Sequence, residues 1–73
     1  MITDLKELVA AQPFIPFTIH LVDGGALHVP TTDHVHVAPL VSRVFVFHDN
    51  GTYDTLRSLM ISRVTVDGEK AAS

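Results

Sequence analysis

A chain of 73 residues, 47% apolar and 18% charged, has room for one domain with a small core; domains of this size bury only about 60% of the surface that the unfolded chain exposes. Without cysteine there is no disulfide framework and no thiolate nucleophile or ligand, which points to a reducing compartment. Eight acidic against five basic side chains give a formal charge of -3, and Lys6, Arg43, Arg57, Arg63 and Lys70 form no run, which disfavours a large phosphate footprint.

No stretch approaches the ~18 consecutive apolar residues of a membrane span. The start, MITDLKELV, carries two acids where a secretory signal would carry basic residues, so a cytoplasmic protein with no membrane partner is expected. The first element, TDLKELVAAQ, predicts a helix over about residues 3–12. Thr3 suits the N-cap, Asp4 the positive end of the dipole, and Leu5, Leu8 and Val9 share one face. Under three turns of apolar stripe do not hold a helix in water, so this one must lie on something. QPFIPF then makes a stiff extended connector.

After Pro16 the period changes to two. In FTIHLVDGGALHVP, Phe17, Ile19 and Leu21 alternate with Thr18, His20 and Val22, and the glycines mark a hairpin turn. A three-residue Asp23-Gly24-Gly25 loop sets Leu21 opposite Leu27, Ile19 opposite Val29 and His20 opposite His28, and requires Gly25 in the left-handed conformation. Pro30 and the TTD that follows interrupt the strand, and HVHVAP resumes it with Val35 and Val37 inward, His34 and His36 outward. The predicted core is therefore Ile19, Leu21, Leu27, Val29, Val35 and Val37.

RVFVFHDNGTY is a second hairpin, with Asn50-Gly51 as its turn. Val44 and Val46 share one face and Phe45 and Phe47 the other, so both faces are expected to be covered. In TLRSLMISRVTV, Leu59 and Ile61 are in one phase and Val64 and Val66 in the other, which predicts a bulge near Ser62 and Arg63. Residues 67–73 form a polar tail. The whole reads as a single domain over 1–73, a mostly β fold in which one helix caps a small, strongly bent five-stranded antiparallel barrel.

QPFIPFTIHLVDG, with DHVHVAP, DNG and ISRV downstream, resembles small, mostly uncharacterised bacterial proteins with the Sm/Hfq-like version of the SH3-type barrel, over nearly the whole chain. The resemblance carries no activity motif. In Hfq-like proteins a Lys-His pair before the final strand reads uridine-rich RNA, and Ser58 and Leu59 stand at the matching positions here. Sheet edges join neighbours into rings in Sm-like proteins, which implies a homo-oligomer, a ring in preference to a two-fold dimer.

Candidate functional residues fall into three groups. His20, His28, His34 and His36 could ligate a metal, or act as a pH sensor by gaining like charges near the ordinary imidazole pKa of about 6.5, or simply stand on the outer side of strands. Phe45, Phe47, Leu59, Ile61 and Arg63 are the expected oligomer contact, since the chain is rich in apolar residues for its small core and its last strand lacks proline and carries few charges. Arg57, Arg63 and Tyr53 are the candidates for contact with RNA. Ser42, Ser58 and Ser62 lack the strand-to-helix setting of a nucleophile elbow, and the glycine pair has no helix after it to cradle a phosphate. The expectation is a non-enzymatic assembly or protein-interaction module without cofactor or catalytic residues. An RNA-binding protein is the first alternative, a metal-binding or pH-responsive one the second.

Overall fold

The computed structural model describes residues 2–67. Helix α1 spans Ile2–Ala10, and six strands follow: β1 Phe17–Leu21, β2 Ala26–Val29, β3 Val35–Ala38, β4 Arg43–Phe47, β5 Tyr53–Arg57 and β6 Ile61–Val66. The expected tail lies, after Asp67, outside the described residues.

The expected five-stranded barrel is not what forms. The six strands make two separate three-stranded antiparallel sheets, ordered β2-β1-β6 and β3-β4-β5, neither closed on itself. Short 3-10 turns cause the division. Pro30 has no N–H to give a ladder, and beyond it Thr32–His34 coil into a 3-10 turn, so one long alternating stretch becomes β2 and β3 with different partners. A second such turn, Ser58–Met60, separates β5 from β6 in the same way.

The core lies between the sheets and under the helix. Phe17, Ile19, Val29 and Ile61 from the first sheet meet Val35, Val44, Val46 and Leu56 from the second, and Leu5 of α1 completes the cluster. Ile2, Leu8 and Val9 pack against its margin, which is the support the short helix needs. Of the predicted core, Ile19, Val29 and Val35 are buried, while Leu21, Leu27 and Val37 are half-buried against it.

The first hairpin departs from its expected register by two residues. Ile19 faces Leu27, Phe17 faces Val29, His20 faces Ala26 and His28 faces Thr18. The loop has the expected three residues but they are Val22, Asp23 and Gly24, closed by Leu21 N–H to Gly25 O at 2.8 Å and Gly24 N–H to Leu21 O at 3.0 Å. Gly24, at φ +97°, takes the left-handed position, and Gly25 does not. Asp23 decides this: its Oδ1 accepts the Gly25 N–H at 2.9 Å, which places the aspartate one residue before the left-handed glycine. Because the shift is even, every side chain keeps its face.

The second hairpin repeats the same geometry. Its loop is Asp49-Asn50-Gly51, with His48 N–H to Thr52 O at 2.9 Å, Gly51 at φ +91° and Asn50 Oδ1 accepting the Thr52 N–H at 3.1 Å. It sets Phe47 opposite Tyr53, Phe45 opposite Thr55 and Arg43 opposite Arg57. In β6 the expected bulge falls at Ser62: His20 pairs with Arg63 but Leu21 with Ile61. The extra residue brings both Ile61 and Val64 to the core side, although their spacing alone would part them.

Candidate functional site

The four histidines do not converge. His20 lies on β1 with Nε2 2.9 Å from Thr65 Oγ1, and His28 on β2 with Nδ1 3.3 Å from Thr18 Oγ1. His36, on the outer face of β3, sits over Phe45 with ring centroids 6.0 Å apart. His34 is not on a strand but ends the Thr32–His34 turn. Among the described residues no three His, Asp or Glu side chains are grouped to hold a metal ion.

His34 enters a different arrangement. Its Nε2 donates to Asp49 Oδ1 at 2.8 Å, and its Nδ1 lies 2.7 Å from the Thr31 hydroxyl, from which it accepts in the Nε2–H tautomer. A hydroxyl, imidazole and carboxylate in a row are the parts of a nucleophilic triad. The carboxylate that orients such a base is buried, however, whereas the Asp49 side chain is 94% exposed at a hairpin tip, where water competes for it. What the chain of bonds does is tie the second hairpin to the turn before β3. His48 makes the neighbouring pair, its Nε2 donating to Asp54 Oδ2 at 2.7 Å across the base of the same hairpin.

The expected oligomer contact is divided among unlike places. Ile61 is a core residue, in line with its pairing to Leu21. Its polar substitution would strike the interior rather than a contact. Leu59 is 85% exposed on the Ser58–Met60 turn, Arg63 is exposed on β6 opposite His20, and Phe45 and Phe47 lie on the outer face of β4. That face is less covered than its sequence suggests, since Phe45 is half-buried and Phe47 exposed.

Two surfaces emerge that were only partly anticipated. The first is an apolar end. Ser58 N–H donates to Ser42 O at 2.9 Å and Val22 N–H to Met60 O at 2.8 Å, so the first hairpin loop and the Pro39–Val41 and Ser58–Met60 turns meet at one end of the sheets. They carry Val22, Leu40, Val41, Leu59 and Met60, all exposed, Leu40 completely. The run APLV holds the signal for it, an apolar stretch directly after an alternating strand and too short to be another.

The second surface is the outer face of the β3-β4-β5 sheet. Cross-strand pairing puts His36, Phe45 and Thr55 in one row, Phe47 and Tyr53 in the next, and Arg43 beside Arg57 at the other end. The Phe47 and Tyr53 rings are 5.8 Å apart. Tyr53 and Arg57, expected to act together, do share this face, while Arg63 lies in the other sheet. Arg43 was missed, although it alternates in phase with Phe45 and Phe47; only the register of the second hairpin reveals that it stands against Arg57.

Among the described residues no helix is long and apolar enough to cross a membrane. No protein-family model matches the chain, and comparison with curated proteins and with solved structures finds no match either.

Proposed function

We propose that this chain is a non-enzymatic interaction module that pairs with a second copy of itself through its apolar end. The observation that supports this is the meeting of Val22, Leu40, Val41 and Leu59, all exposed, on three loops held together by backbone hydrogen bonds. Withdrawing one such side chain from water contributes about 1.5–3 kcal/mol, and backbone already fixed loses little entropy on docking. The Pro39–Val41 and Ser58–Met60 turns contain no charged residue, so no charge within them has to be desolvated. A single patch that meets its own copy closes a two-fold contact at two subunits, whereas a ring needs two different complementary patches.

Sedimentation velocity tests the proposal. The parent chain is expected to run as an oligomer at micromolar concentration, and Leu40→Asp with Leu59→Asp to run as a folded monomer. A parent that sediments as a monomer, or a double variant that keeps the parent's coefficient, would end this reading.

A further inference from the structure

We propose that the outer face of the β3-β4-β5 sheet binds single-stranded nucleic acid, with Arg43 and Arg57 on phosphate and Phe47 and Tyr53 stacking on bases. This surface is distinct from the apolar end, so either proposal can fail without the other.

Charge complementarity selects the occupant. Arg43 and Arg57 are cross-strand neighbours, and like charges placed directly opposite repel. Neither is paired with a carboxylate among the described residues. The net acidity of the chain lies elsewhere. Asp4 and Glu7 are on α1, Asp23 and Asp49 in hairpin loops, Asp33 in a turn, and Asp67 follows β6 in the other sheet. Asp54, on β5 itself, is in phase with Val46 on the core side. The face is thus locally basic on an acidic protein, and an anion bridging the two guanidiniums relieves their repulsion.

Aromatic placement argues for a base-bearing anion over an acidic peptide. Phe47 and Tyr53 form an adjacent exposed pair, and Phe45 with His36 lies one row nearer the arginines. At about 3.3 Å per residue, the distance from the Arg43 row to the Phe47 row is roughly 13 Å, room for more than one nucleotide on a flat platform. Stacking on a ring face is tolerant of base identity, whereas the carboxylates of an acidic peptide bring no aromatic ring to stack.

Fluorescence anisotropy with short labelled oligodeoxythymidine and oligouridine, titrated over a range of salt, tests this. Binding to at least one is expected at low salt. Arg43→Ala and Arg57→Ala should each flatten the dependence of log affinity on log salt by about 0.7, the slope of one single-strand phosphate contact. Phe47→Ala should weaken binding about five-fold or more with the slope unchanged. Thermal melting checks that each variant folds, and Tyr53→Ala, on the sheet edge, replaces Phe47→Ala if that variant does not. The proposal is overturned if neither oligonucleotide binds at low salt, or if the arginine variants leave the slope unchanged. It is equally overturned if polyglutamate displaces the probe as well as unlabelled oligonucleotide does, which would mark the face as a site for acidic protein.

Discussion

At Gly24 no atom lies within 4 Å of where a Cβ would project, so the cost of a side chain there is conformational and comes from φ +97° alone. Gly24→Ala is expected to lower stability by about 1–2 kcal/mol in urea denaturation, the penalty of the left-handed region for an L-residue. At Gly25 the new Cβ would instead meet Asp23 Oδ1 at 3.2 Å, a close approach that a small movement of an exposed carboxylate relieves. Gly25→Ala should therefore cost less than Gly24→Ala. The reverse order would show the turn to be misassigned. The His34–Asp49 bond belongs to the same scale: Asp49→Asn should change stability by less than about 1 kcal/mol, since one partner is exposed and an amide oxygen still accepts. A loss of several kcal/mol on the same denaturation curve would contradict that weighting.

Ile61 and Leu59 show how one element separates neighbours of similar chemistry. Two residues apart, they share a phase if the chain is a continuous strand, but the Ser58–Met60 turn rotates Leu59 into solvent and leaves Ile61 inside. Ile61→Ala is expected to cost about 2–5 kcal/mol by opening a cavity, and Leu59→Ala no more than about 0.5 kcal/mol in the separated subunit. Similar unfolding midpoints for the two variants in dilute solution would refute this difference. The faces of β1 to β4 were legible in the sequence because alternation survives any even shift of register, as the first hairpin shows. The choice of left-handed glycine was not, since two adjacent glycines are interchangeable until the aspartate's own hydrogen bond selects one. The Ser58–Met60 turn was hidden for another reason: SLM contains no proline or glycine to announce a break, and tertiary packing overrides its local pattern. The aromatic face was legible in its phases and unread in its register, which is why Arg43 could not be placed beside Arg57 from the sequence.

For the molecule as a whole, the division into two sheets matters more than the number of strands. Each sheet turns one face to a shared core and leaves the other outward, so a chain with little interior displays a large organised surface. That surface is sorted, with apolar loops at one end, aromatics and two arginines on one sheet, and histidine–carboxylate ties at the opposite hairpin. Self-association through the apolar end predicts weak salt dependence. Raising ionic strength from low to moderate should leave the sedimentation coefficient unchanged or slightly raised, because apolar burial is not screened. Dissociation by salt would point to an electrostatic contact instead.

The pairing of β1 with β6 joins the first strand to the last, and Asp67 N–H reaches back to Pro16 O at 2.9 Å to fasten it. This gives the molecule a kinetic order. The β1–β2 and β4–β5 hairpins close over loops of three residues, whereas β6 reaches β1 only after all the strands between them have been gathered, at a loop-closure cost that grows with length. In stopped-flow chevrons, Val64→Ala should accelerate unfolding and leave the refolding limb almost unmoved, while Val46→Ala, in the locally closed hairpin, should slow refolding. The lifetime of the native state, as distinct from its stability, is then controlled by the last strand. Force applied between Pro16 and Asp67 would load that pairing directly.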